Sequence, residues 1–169
     1  MEQDTKIGGQ GIVVEIDETK LGKRKYNRGH HVEGVWVLVG IERTPEGRFF
    51  LTPIEKRDQE TSLKNIYDHV HEGSIIYTDC WPGYNGLSGC LGFEHSTVNH
   101  SQAFKSPING ACTNTAEGLN NGLKMKIMPR NRAKEGIEEH LSEYIWRELY
   151  KNNLFDSFIS ALRDIHYDF

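Results

Sequence analysis

IVVEIDET, residues 12–19, starts as a strand and ends as something else. Ile12, Val13, Val14 and Ile16 are the β-branched residues of a buried strand, yet Asp17 and Glu18 follow where more apolar side chains belong. A carboxylate inside a sheet is expensive unless it is paired or binds a cation. The two acids are therefore either the solvated end of a strand or the first half of a metal site. The residues that decide between these readings lie elsewhere in the chain.

Working outward, the first strand covers about 12–18, and the β-branched and aromatic run GVWVLVGIER (34–43) is the next. The turn PEG (45–47) returns the chain as RFFLTPIE (48–55), so these two strands form a hairpin. RDQETSLKNIYDHVHEG (57–73) places Leu63, Ile66, Tyr67 and Val70 at helical spacing, with Gly73 as its stop. SIIYTD (74–79) is again a short apolar run closed by an acid, Asp79. CWPGYNGLSGCLG (80–92) is too rich in Gly and Pro for more than a turn of helix, and EHSTVNH (94–100) has the character of a short edge strand. Residues 101–113 read as a loop. Three helices follow: 113–128, stopped by Pro129; 134–153, with Ile137, Leu141, Tyr144, Ile145 and Trp146 near one face; and 154–166, with Phe155, Phe158, Ile159, Leu162 and Ile165.

This order predicts an α/β domain: an RNase H-like mixed sheet flanked by helices, with extra C-terminal helices. In such a sheet the first strand and the strand after the first helix lie side by side, which brings Asp17 to Asp79. Residues 1–11, polar and Gly-rich, read as a tail or linker remnant, and 12–169 as one domain. A chain of 169 residues is long enough for one filled core and short for two.

Charge is sorted rather than mixed. Residues 20–31 hold Lys20, Lys23, Arg24, Lys25 and Arg28 with no acid, and residues 124–134 hold Lys124, Lys126, Arg130, Arg132 and Lys134 with none. Since the whole chain carries −4, the remainder carries −14. Each basic run begins close to a candidate catalytic acid, a pattern expected of a surface that tracks phosphates. No apolar run approaches membrane-spanning length and nothing at the start reads as a signal peptide, so an intracellular protein is expected. Three cysteines without Cys-x-x-Cys spacing indicate neither a disulfide framework nor a zinc ribbon. Cys90, His95, His100 and Cys112 have spacings unlike a common zinc finger.

Metal-assisted phosphoryl transfer needs clustered carboxylates, because Mg²⁺ and Mn²⁺ prefer oxygen ligands. Two ions about 3.5–4 Å apart stabilise both the attacking and the leaving oxygen. Asp17 and Asp79 supply two acids, and Glu117 on the helix after the loop supplies a third. Asn114-Thr115-Ala116-Glu117 also fits a capping box, with Asn114 as N-cap and Glu117 at N3. Strand alternation puts Glu18 on the face opposite Asp17, which favours Asp17 as the ligand. Trp36 reads as core, and Trp81 as a residue that closes the CWPGY loop or stacks on a base.

VEIDETKLGKRKYNRGH, VEGVWVLVGIER, IYTDCWPGYNGL, FEHSTVNHS and TNTAEGL with GLK following resemble, in order, the motifs of Merlin-type DDE transposases and their bacterial insertion-sequence relatives. The resemblance runs from about residue 7 to the end. It implies an RNase H-like catalytic domain that uses two Mg²⁺ or Mn²⁺ ions to cleave a DNA strand and join the freed 3′-hydroxyl to target DNA. Asp17, Asp79 and Glu117 match the three catalytic, metal-binding acids, and Lys124 matches a basic residue that contacts DNA. Lys23, Arg24, Lys25, Arg28, Arg130 and Arg132 join Lys124 as expected DNA contacts. Paired DNA ends imply a homodimer or higher assembly, in a nucleus for a eukaryotic host and in the cytoplasm or nucleoid for a bacterial one. Two positions depart from the family pattern: Asn120 stands where a Trp is usual, and Cys112 where a His is common. The chain also opens almost at the catalytic strand, as an isolated catalytic domain would. These features support a second expectation, a catalytically silent, transposase-derived DNA-binding or assembly module.

Overall fold

The computed structural model describes residues 6–22, 34–98 and 113–163. Lys23, Arg24, Lys25, Arg28, His100 and Cys112 lie outside the described residues.

Five strands form one sheet in the order β3-β2-β1-β4-β5. β1 (Val13–Leu21) pairs antiparallel with β2 (Val35–Glu42) along nearly its whole length, from Val14↔Glu42 to Leu21↔Val35. β2 continues antiparallel into β3 (Phe49–Ile54). Helix α1 (Gln59–His69) then crosses over, and β4 (Ile75–Asp79) returns parallel to β1. After the short helix α2 (Gly86–Leu91), β5 (Glu94–Val98) adds parallel to β4 as the edge strand. This is the RNase H-like mixed sheet that the order of elements predicts.

Helices cover both faces. On one face Val14, Ile16, Leu38 and Ile76 pack with Ile66 and Val70 from the α1 region and Leu87 of α2. On the other, Leu21, Val37, Val39 and Leu51 meet Leu123 of α3 (Asn114–Lys126) and Ile137, Leu141 and Tyr144 of α4 (Ile137–Leu149). Period-two alternation along β1 is thus divided between two cores, as a sheet buried on both sides requires. α2 is longer than the Gly-rich sequence suggests, because the 3-10 turn Pro82–Tyr84 buries Tyr84 and leads directly into it. Tyr67 does not join the α1 core face; it is exposed, with the Lys6 ammonium 5.0 Å from its ring centroid. α5 (Leu154–Arg163) buries none of its residues, so Phe155, Phe158 and Leu162 are exposed.

Residues 6–11 are not a free tail. Ile7 is 3% exposed and forms an isolated parallel bridge with Val70, accepting from His71 N–H and donating to His69 O, each at 2.9 Å. Gly8 N–H donates to Glu42 Oε2 at 2.9 Å. One isoleucine able to fill the end of the core outweighs the polar composition around it.

For function, the decisive feature is where β1 and β4 stop pairing. Their ladder runs only from Val13↔Ile75 to Glu15↔Tyr77. Beyond it β1 stays with β2, while β4 stays with β5 to Asp79↔Val98. The carboxyl ends of two parallel strands therefore part, the kind of crevice in which open α/β sheets bind ligands.

Candidate metal centre

Asp17 and Asp79 each lie two residues past the last β1–β4 pair, Glu15↔Tyr77, so the register brings them together at the mouth of the crevice. Asp17, Glu18 and Asp79 each offer a carboxylate oxygen, and the three atoms lie within 4.8 Å of one another. Asp17 Oδ2 accepts from Asn120 Nδ2 at 2.7 Å, and its Oδ1 accepts from Glu18 N–H at 2.8 Å. Glu18 leaves the strand on the other side, where Arg57 Nε donates to its Oε1 at 3.4 Å. Asp79 Oδ1 accepts from Trp81 N–H at 2.9 Å, and its Oδ2 is 4.0 Å from Arg57 Nη2. Alternation assigns Asp17 and Glu18 to opposite faces. It does not keep Glu18 out of the site, because the parted strands leave an opening that both can reach.

Burial raises the pKa of Asp17, and the charges of Asp79 and Glu117 add to that rise, against the hydrogen bonds from Glu18 N–H and Asn120. Glu18 is raised too, first by burial and further by Asp79, while Tyr84 and Arg57 oppose the rise. Tyr84 is itself pushed well above the usual phenol range, by burial and then by Glu18. The negative charge that crowds Asp17 and Glu18 is what a divalent cation bound there would relieve. Among the described residues, two buried oxygens, Glu18 Oε2 and Asn120 Oδ1, have no hydrogen-bond partner, and the Tyr84 hydroxyl, though close to Glu18, makes none of good geometry. An all-oxygen donor set with unsatisfied buried acceptors fits a hard divalent cation.

Glu117 is half-buried on the first turn of α3, near enough for its charge to act on Asp17. The capping box expected at Asn114 is absent. The N-cap is Thr113, no side chain of its own caps the helix, and Asn114 is the first helical residue. The first-turn N–H groups of Thr115 and Ala116 donate instead to Glu15 Oε2, at 2.8 and 2.9 Å. Glu15 is not among the acids that the sequence marks as candidates. The available signal was that it shares the Asp17 face of β1, as a charged residue in mid-strand.

Residues 8–162 match the ISXO2-like transposase domain. The chain belongs to that family of insertion-sequence DDE transposases. No curated protein matches it.

A transposase acts on DNA, and one cation of this domain, Arg57, stands at the acidic centre. The Arg57 guanidinium is held between two indoles, 4.4 Å from the Trp81 ring centroid and 5.3 Å from that of Trp36. Trp81 lies directly against Gly83: a Cβ there would stand 2.2 Å from the indole, so the Pro-Gly turn is what lets the ring sit beside Arg57. Trp36 is accordingly half-buried at the edge of the core rather than inside it. Lys124 is exposed on α3, seven residues after Glu117, and Arg130 is exposed on the 3-10 turn that follows. Arg132 has a structural engagement: its Nε donates to Ile127 O at 2.9 Å and its Nη2 to Lys124 O, closing the C-terminal end of α3. Among the described residues neither Cys90 nor His95 belongs to a metal-ligating cluster; His95 instead bonds Thr78 Oγ1 at 2.8 Å. No helix among the described residues is long and apolar enough to cross a membrane.

Proposed function

We propose that this transposase domain catalyses metal-dependent DNA strand cleavage and strand transfer, with Asp17, Asp79 and Glu117 holding two Mg²⁺ or Mn²⁺ ions. The observation that carries the reading is the convergence of Asp17 and Asp79 where β1 and β4 part, with the Glu117 charge acting on Asp17 from α3. Bound there, such ions polarise the scissile phosphate and lower the pKa of the attacking hydroxyl. In the first step a water oxygen bonds to phosphorus and the P–O3′ bond breaks, leaving a 3′-hydroxyl. In the second, that hydroxyl attacks a target phosphate and displaces a second 3′-oxygen, so phosphodiesters are conserved.

The chain's own side chains have separable parts in this scheme. Asp17 is oriented by Asn120 and by Glu18 N–H, and Asp79 by Trp81 N–H. Glu18 adds a fourth carboxylate at the mouth of the site. Arg57, Lys124 and Arg130 supply cations for contacts with DNA phosphates, and the basic run of Lys23, Arg24, Lys25 and Arg28 adds further candidates from the sequence. A homodimer would hold two DNA ends. The silent-module reading draws partly on Asn120 standing where a Trp is usual; its hydrogen bond to Asp17 gives that residue a part in orienting the acid instead.

The test is an assay on DNA carrying terminal inverted repeats, with nicked and joined products scored separately in Mn²⁺. Wild type yields both, and Asp79→Asn yields neither while keeping its melting temperature. Undiminished nicking by Asp79→Asn overturns the assignment. Salt-sensitive DNA binding with no nicking by wild type favours the silent module.

A further inference from the structure

Glu15 is fully buried in the middle of β1, between strands on both sides. A carboxylate in such a place is tolerated only when its lone pairs are used. Here they are. Oε2 accepts from Thr115 N–H at 2.8 Å and Ala116 N–H at 2.9 Å. Oε1 accepts from the Thr115 hydroxyl at 3.0 Å and from Arg43 Nε. Arg43 is steadied in turn over the Tyr77 ring, 5.2 Å from its centroid. The first-turn N–H groups of a helix carry partial positive charge and need acceptors, and α3 has no side-chain cap of its own.

We propose that Glu15 is a positioning residue for the metal centre: it anchors the first turn of α3 to β1 and thereby sets where Glu117 and Asn120 stand relative to Asp17. The inference rests on the metal reading given above. Its geometry is a matter of two matched spacings. Along β1, Glu15 and Asp17 share a face and are separated by about 6.6 Å of strand rise. Along α3, their partners Thr115–Ala116 and Asn120 are separated by about 6–7.5 Å of helix rise. The helix is therefore fixed to the strand at two points with equal intervals, and Glu117 lies between them. Sliding α3 by one residue would turn it by about 100° and carry Glu117 off the Asp17 side. Leu123 packs the body of α3 onto the sheet and Asn120 bonds Asp17; Glu15 adds the anchor at the helix's first turn.

Three variants test this, each measured for Mn²⁺ affinity from the EPR signal of free Mn²⁺, for hydrogen exchange along α3, and for melting temperature. Glu15→Gln turns an acceptor toward the helix into a donor; it is expected to weaken Mn²⁺ binding about 10–100-fold, the usual range for an outer-shell partner. Exchange in the first turn of α3 should rise with it. Glu42→Gln is the control: Glu42 is an equally buried carboxylate, paired with Arg48 at 3.0 Å and holding Gly8 rather than α3. It should lose stability and keep its Mn²⁺ affinity. Thr115→Val, at an exposed position, removes only the hydroxyl bond and should weaken Mn²⁺ about threefold, so it carries the test should Glu15→Gln fail to fold. Wild-type affinity in Glu15→Gln, or in Thr115→Val where that variant carries the test, overturns the proposal, as does equal weakening in Glu42→Gln. Absence of Mn²⁺ binding by wild type overturns the metal reading itself, a distinguishable failure.

Discussion

Replacing Asn120 by Leu separates the helix's stability from the orientation of Asp17. Asn120 is 4% exposed; its Nδ2 donates to Asp17 Oδ2 at 2.7 Å while its Oδ1 has no partner among the described residues. Leu fills a similar volume and removes both groups. Loss of a hydrogen bond to a charged acceptor costs about 1.5–3 kcal/mol, and relief of a buried unsatisfied carbonyl returns about 1–3 kcal/mol. The two offset to within about 2 kcal/mol, a melting shift of no more than about 8 °C for a domain of this size. Asp17, however, loses the donor that fixes its carboxylate, so Mn²⁺ affinity should fall about tenfold or more. Differential scanning fluorimetry and Mn²⁺ titration on the same sample read both quantities. A melting loss above about 10 °C would show that the hydrogen bond outweighs the orphaned carbonyl. Unchanged Mn²⁺ affinity would refute the claim that Asn120 orients Asp17.

Two further outcomes follow from the charges. Because burial raises the folded-state pKa of Asp17, the folded domain binds more protons than the unfolded chain just above the ordinary carboxylate range, so this contribution to stability falls as pH rises through that window. In metal-free protein Asp17→Asn should therefore melt higher than wild type at neutral pH and lose that advantage as pH falls into the carboxylate range, since Asn120 can turn its free Oδ1 toward the new amide; a gain independent of pH contradicts this. Lys124→Ala, on the exposed face of α3, should weaken DNA binding to all sequences alike and reduce the slope of log affinity against log salt by about one, measured by fluorescence anisotropy; a sequence-selective loss would mean that Lys124 reads bases.

Much of this molecule is legible without coordinates, for reasons that can be stated residue by residue. β-Branched runs mark the first two strands, the PEG turn the third, a short apolar run the fourth and edge-strand character the fifth, and the order of these elements puts Asp17 beside Asp79. Failures arise where partners are far apart in sequence. The Asn114–Glu117 pattern is a proper local capping signal, yet the helix start is held by Glu15, one hundred residues earlier, which no window along the chain can see. Glu18 was set aside because alternation assumes that pairing continues; the β1–β4 ladder ends at Glu15↔Tyr77, and the rule stops with it. Asn120 reads in the sequence only as a departure from the family's usual Trp, because its partner, Asp17, lies on another element. Ile7 was hidden in a polar stretch whose average said nothing of one side chain.

Anomalous scattering from Mn²⁺-soaked crystals of the domain bears on the whole scheme at once. Peaks among the carboxylates of Asp17, Asp79 and Glu117 are expected, with Glu18 at the rim and Asn120 still bonded to Asp17. Crystals that bind Mn²⁺ elsewhere, or leave these carboxylates without a peak at saturating concentration, would contradict the assignment of this crevice as the metal centre of the transposase.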